Sequence, residues 1–133
     1  MTNPKVSDLV LEYIESVWNQ GDARALERLT APGFEYRLGG QPARDRSAMA
    51  DFVALVRRAF PDWRVRVLST VSEGHEVAVR WEGSVTHEGE FHGIPPTGKQ
   101  VHVSGINMYR TEDGRIVREW EQMDSIGMLQ QLK

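Results

Sequence analysis

At Pro61-Asp62 the hydrophobic period of this chain changes, and that change limits the fold more than any other feature. Before it, apolar residues recur at helical spacing. Val6, Leu9, Val10, Tyr13, Ile14, Val17 and Trp18 follow the i, i+3, i+4 rule, and Met49, Phe52, Val53, Val56 and Phe60 form a later stripe. After it, apolar residues alternate: Trp63, Val65 and Val67, then Val77, Val79, Trp81 and Val85. Helices early and an antiparallel meander late make an α+β fold.

Local signals set the boundaries. Asn3-Pro4 offers a cap and a first-turn proline to the first helix, and Gly21 ends it. Asp22 caps a short second helix carrying Ala25, Leu26 and Leu29, which stops before Pro32. Phe34 to Leu38 reads as a short strand and Gly39 to Arg46 as a loop. Ser47 caps the third helix, and Pro61-Asp62 ends it. Glu73-Gly74-His75 is a turn, and Gly89 to Lys99 is a loop holding Pro95-Pro96-Thr97-Gly98. The strands Val101 to Arg110 and Ile116 to Met123 meet at Asp113-Gly114, a tight-turn signal. Ile126, Met128, Leu129 and Leu132 suggest a last short helix or a docked tail.

The 133 residues suit one domain, spanning 1–133, with enough apolar side chains for one core. A net charge of -3 argues against a nucleic-acid partner, and Arg57-Arg58 with Arg64 and Arg66 reads as a solvated face. Without cysteine there is no disulfide frame, thiolate zinc site or cysteine nucleophile. No apolar run approaches the ~18 residues of a membrane span. The N-terminal stretch MTNPKVSDLV lacks an apolar signal core, so the expectation is a cytoplasmic protein. The histidines lack metal-ligand spacing, and there is neither a Gly-x-Ser-x-Gly elbow nor a phosphate loop.

Four stretches then carry a resemblance. They are Val17-Trp18-Asn19-Gln20-Gly21-Asp22, Ala59-Phe60-Pro61-Asp62-Trp63, Phe91-His92-Gly93-Ile94-Pro95-Pro96-Thr97-Gly98-Lys99, and the run from Asp113-Gly114-Arg115-Ile116 through Trp120 and Asp124 to Leu129-Gln130-Gln131-Leu132. In that order they span nearly the whole chain. The chain resembles the SnoaL-like polyketide cyclase family, within the nuclear-transport-factor-2-like (ketosteroid-isomerase-like) superfamily. The resemblance implies a cone-shaped α+β barrel: a curved antiparallel sheet wrapped around three N-terminal helices, with an apolar pocket at the open end. It implies a homodimer packed through sheet faces and a small apolar, polyketide-like carbonyl substrate. The reaction it implies is an intramolecular aldol ring closure by general acid/base catalysis, without metal or organic cofactor. It also implies an aspartate acting as acid/base at the end of the last long strand, which here is Asp124.

By strand parity Asp124 shares a face with Trp120 and Gln122, and a hairpin turning at Asp113-Gly114 places Asn107 across from Trp120. One apolar wall with three polar groups is the makeup of a ligand pocket. The other reading of Asp124 is a cap for the terminal helix. His92, held by the prolines after it, is a second proton-transfer candidate or an exposed loop histidine. His87 shares parity with Val85 and Trp81, so it either faces the substrate or ends its strand on a hydrogen bond. His102 alternates away from Asp124 unless a bulge intervenes, and His75 lies in a turn. Tyr13, Trp18, Tyr36, Trp63 and Trp81 either line the cavity or fill the core. Where many relatives carry histidine or aspartate in the short strand, this chain has Phe34-Glu35-Tyr36-Arg37. Arg37 cannot act as a base near neutral pH but can bind an anion.

Competing functions share the fold. An isomerase would have Glu35 as the carboxylate of the short strand. An epoxide-opening enzyme would need an aspartate–arginine–aspartate set, and Asp113 lies in a turn. A non-catalytic small-ligand-binding protein needs neither.

Overall fold

The computed structural model describes residues 4–133, Pro4 by its backbone alone. The expected Asn3 cap lies outside the described residues. Helix α1 runs Pro4–Tyr13 and continues as a π-helical turn, Ile14–Asn19, where one unbroken α-helix was expected. The wider turn matters: residues five apart diverge around an α-helix, whereas a π-turn brings them nearer one face. Tyr13 and Trp18 thereby reach the same partner in the sheet. Gly21, at φ 68, ends the turn in the left-handed region.

Helix α2, Ala23–Leu29, starts at the predicted Asp22 cap, which accepts from the N–H groups of Arg24 and Ala25. Strand β1 follows at once, Thr30–Leu38, and is longer than predicted. Helix α3 spans Arg46–Ala59, and its cap is Asp45, not Ser47. Strands β2 (Arg66–Glu73), β3 (Glu76–Thr86), β4 (Gln100–Glu112) and β5 (Arg115–Met123) form the meander, and α4 closes the chain at Ser125–Gln131.

The α+β fold expected from the change of period is the one observed. The five strands lie in the order β1-β5-β4-β3-β2 in one curved, open sheet. Its one parallel pair is β1 with β5, so the sheet is mixed and not antiparallel throughout. Val10, Tyr13, Val17, Met49, Val53 and Val56 from the helices are buried with Val77, Val79, Trp81 and Tyr109 from the sheet. No described helix is long and apolar enough to cross a membrane.

One irregularity decides which side chains face this core. Glu112 pairs with Arg115 and Thr111 with Ile116, but Arg110 pairs with Arg118, so Val117 is an extra residue in β5. A bulge of this kind reverses the parity of everything beyond it. Ile116 is buried, and regular alternation from it would turn Trp120, Gln122 and Asp124 inward. Instead Glu119 and Glu121 are buried while Gln122 and Asp124 are exposed and Trp120 is half-buried on the outer face. Asn107 consequently lies across from Glu121, not Trp120.

Asp124 caps α4: its Oδ1 accepts from the Gly127 N–H at 2.8 Å. Asp124→Ala is expected to cost about 1 kcal/mol, the usual value of such a cap, read as a lower urea midpoint at unchanged slope.

Candidate functional site

Glu119 and Glu121 stand on the inner face of β5, both at most 5% exposed. A buried carboxylate survives only with donors around it. Glu119 has four. Tyr13 Oη donates to its Oε1 at 2.6 Å, while Trp18 Nε1 (3.1 Å), Asn107 Nδ2 (2.9 Å) and Tyr109 Oη (2.9 Å) donate to Oε2. Glu121 has two, Tyr36 Oη at 2.9 Å and Asn107 Nδ2 at 3.2 Å, both on Oε1. Among the described residues none donates to its Oε2. Asn107 bridges the two carboxyls, and its own Oδ1 is fixed by Trp81 Nε1 at 2.8 Å. Trp81 in turn lies against Gly105, where a Cβ would sit 2.7 Å from its ring.

Glu121 borders an apolar cavity of about 230 Å³ whose walls include Trp18, Phe52, Trp63, Phe91, Met128 and Leu129. The volume is below the roughly 300–1,000 Å³ of drug-sized sites, so it takes a compact ligand. Arg57 ties together the backbone of two of these wall residues: Nη1 donates to the carbonyls of Trp18, Asn19 and Trp63. Arg57 is thus half-buried and structural, unlike the solvated face predicted for it, whereas Arg64 and Arg66 are exposed. A larger groove, about 680 Å³, lies outside the cone between α1 and strands β2 and β3. Its charges pair with one another, Arg64 with Glu15 and Arg66 with Glu82, so it offers a ligand little unmet polarity.

The network shifts its members. Burial pushes the Glu121 carboxyl up to about 7, and the neighbouring Glu119 charge adds to this; Tyr36, Asn107 and Arg44 pull the other way. Burial likewise raises Glu119, against the pull of its four donors. Tyr13, Tyr36 and Tyr109 are raised, by burial first and by the carboxylates beside them second, so they stay protonated donors. A proton entering the pair goes to Glu121, which has fewer donors to hold its charge.

A carboxyl whose folded pKa lies above its unfolded value binds its proton more tightly when folded. Its stabilising contribution is complete below the unfolded value and is lost as pH rises through the folded one. For Glu121 that window runs from about 4.5 to about 7. The distance corresponds to roughly 3 kcal/mol. Glu121→Gln, which mimics the protonated form, is therefore expected to be more stable than the parent at pH 8 by a few kcal/mol, with the advantage fading toward pH 4.5. Denaturant melts of the two proteins across that range check it; parallel curves would overturn it.

The predicted site residues divide three ways. Trp18 and Trp63 line the cavity, and His92 stands at its rim, exposed, with φ 50. Tyr13, Tyr36 and Asn107 donate to the carboxylates, and Trp81 fixes Asn107. The rest are elsewhere. Asp124 is a helix cap, Trp120 and Gln122 are turned outward by the bulge, and Arg37 is exposed beside Glu35. His87 is fully buried but faces Phe60 and the loop, where its Nδ1 meets the Thr97 N–H at 3.2 Å. His102 is exposed near Glu82. The sequence reading missed Glu119, Glu121 and Arg44. The available signal was the set of aromatic and amide donors at inward positions (Tyr13, Tyr36, Tyr109, Asn107), which needs buried acceptors.

Comparison with known proteins agrees with the fold and adds the family. The sequence profile of the SnoaL-like polyketide cyclases matches residues 8–132. No curated protein matches. Among solved structures, IdmH of Streptomyces antibioticus, described as a polyketide cyclase, is 34% identical at a TM-score of 0.84, with 96% of this chain and 97% of that one covered. AclR of Streptomyces galilaeus, described as a hydroxylase, is 27% identical at 0.87, covering 98% and 97%. A protein of Jannaschia sp. CCS1 described as a SnoaL-like polyketide cyclase shares the fold at 0.91 and 22% identity, covering 97% and 92%. With its profile match running almost from end to end, this chain belongs to the SnoaL-like polyketide cyclase family.

Proposed function

We propose that this protein closes a ring in a small, largely apolar, polyketide-like ketone by an intramolecular aldol step, with Glu121 as general base and then general acid. One observation carries the reading: a buried carboxyl, raised to about 7, borders an apolar cavity with one oxygen to which no described residue donates. A base poised near the working pH combines availability with driving force. Similar proteins on this fold are described as a cyclase and as a hydroxylase, so the reaction is argued from the site and not from the fold.

Oε2 of Glu121 takes a proton from the carbon beside a carbonyl, and the C–H electron pair stays behind as the enolate. The enolate carbon attacks a second carbonyl of the same molecule, forming one C–C bond and one alkoxide. The alkoxide takes the proton back from Glu121, so atoms balance and nothing is oxidised or reduced. Glu121 replaces Asp124 in this role because Asp124 is spent on a cap in solvent. His92, at the rim, is the candidate for proton exchange with solvent.

The first half-reaction is testable without the native substrate. In deuterated buffer the protein is expected to accelerate exchange of the α-hydrogens of β-tetralone, followed by proton NMR. An exchange rate no faster than buffer alone, for this ketone and for open-chain diketones, would remove Glu121 from the role of base.

A further inference from the structure

The two glutamates share one amide, and which end of that amide faces them is decided by the residue at its other end. Asn107 Nδ2 donates to Glu119 Oε2 at 2.9 Å and to Glu121 Oε1 at 3.2 Å. Asn107 Oδ1 accepts from Trp81 Nε1 at 2.8 Å. The carbonyl and NH2 ends of an amide are nearly the same size, so shape alone does not orient it. Hydrogen-bond chemistry does. An indole nitrogen can only donate, so Trp81 takes the carbonyl end and leaves the NH2 end for the carboxyls.

Trp81 is built into its position. It stands on β3 directly across from Gly105 on β4. A Cβ at position 105 would lie 2.7 Å from Cζ2 of the indole and 3.0 Å from Cε2, the atom bonded to Nε1. The ring therefore occupies the space a side chain would take, and the glycine is what lets the N–H reach Asn107. Trp81 and Asn107 are both buried, so water competes little for either group.

We infer that Trp81, seated against Gly105, is a positioning residue: it holds the Asn107 amide with its NH2 toward both glutamates and so keeps Glu121 in the ionised form that a base requires. The inference rests on the proposed function for its catalytic consequence, and on the Trp81–Asn107–Gly105 geometry for the orientation itself. Held this way, Asn107 donates to Glu121 and favours the carboxylate over the acid. Released, Asn107 Oδ1 is a buried acceptor without its donor, which is costly. A protonated Glu121 supplies the missing hydrogen if the amide turns. Glu119 resists a full turn because it holds the same Nδ2, but its bond is the shorter of the two, so Glu121 loses the donor first. Without the Trp81 N–H, Glu121 shifts toward its protonated form.

Other groups face Glu121 from several elements. Glu119 is on its own strand, Tyr109 on β4, Tyr36 on β1, and Arg44 precedes α3. A fold-back brings Arg44 there: it and Tyr36 exchange both backbone hydrogen bonds at 2.8 Å. His92 lies at the rim of the same cavity, and Tyr13 of α1 reaches the pair through Glu119. Deleting the Trp81 N–H replaces none of these groups, so a change in the titration of Glu121 reports on the amide.

In parent and Trp81→Phe proteins the Glu121 titration is followed by carboxyl-carbon NMR, the signal being assigned by its loss in Glu121→Gln. Exchange of β-tetralone α-hydrogens is measured alongside, as a function of pH. In Trp81→Phe the Glu121 midpoint is expected to rise by about one pH unit, the tenfold that one lost charge-assisted hydrogen bond represents. Exchange should fall about tenfold on the acid side of the midpoint and far less on the alkaline side. Benzothienylalanine in place of Trp81 keeps the shape of the indole with sulfur for N–H, so it carries the test if Trp81→Phe does not fold. An unmoved midpoint, with exchange reduced equally at every pH, would make Trp81 ordinary core; it would overturn this inference and leave Glu121 as the base. A lowered midpoint would also overturn it, because the amide would then present its oxygen to Glu121 in the parent. A raised midpoint, with β-tetralone exchange in neither protein, would keep the orienting role of Trp81 and remove Glu121 from the role of base.

Discussion

Glu121→Gln is expected to slow exchange of β-tetralone α-hydrogens by roughly 10²–10⁴-fold, the usual worth of one general base, while Asp124→Asn leaves the rate essentially where it was. The contrast follows from position. Glu121 is buried against the cavity, and Asp124 is exposed with an oxygen committed to the Gly127 N–H. Glutamine keeps the volume of Glu121, and its carbonyl oxygen can still accept from Tyr36 and Asn107, so the loss is of basicity and not of structure. Parent activity should rise with pH through about 7, as Glu121 gives up its proton to become the base. A rate that follows Asp124→Asn instead would return the role to the strand-end aspartate, and equal loss in both would point to a site neither residue defines.

Much of this fold was legible because its signals are local. The switch from helical to alternating spacing, the Asp22 cap and the Asp113-Gly114 turn all depend on residues near one another, whereas the parallel place of β1 beside β5 does not. The site was not legible for one reason of geometry and one of bias. The geometry is the extra residue at Val117, which no pattern in Arg115 to Met123 announces and which exchanges the two faces of β5. The bias is that tryptophan is more often buried than glutamate, so Trp120 was read as an inner residue and the glutamates on either side of it were passed over. Arg44 was hidden differently. It lies in a segment without periodicity, and only the folded-back pairing with Tyr36 brings its side chain to the cavity.

Glu119→Ala is expected to leave the protein unable to fold. Three donors, Tyr13 Oη, Trp18 Nε1 and Tyr109 Oη, lose their acceptor at once in a place water does not reach, while Asn107 Nδ2 keeps Glu121. At about 1–3 kcal/mol for each buried group left unpaired, the sum rivals the whole stability of a small domain, about 5–15 kcal/mol. Tyr13→Phe removes one donor and spares three, so it should cost only about 1–2 kcal/mol. A soluble Glu119→Ala protein melting with the parent would show that the network has no such role. Glu119→Gln separates structure from chemistry: it keeps one acceptor oxygen but removes the charge that helps raise Glu121. The Glu121 carboxyl should then fall from about 7 toward its ordinary value, carrying the pH midpoint of exchange down with it. An unmoved midpoint would mean that burial alone tunes the base. A lowered one makes the two glutamates a divided pair, one held by its donors as the fixed charge and the other left with an oxygen free to exchange the proton.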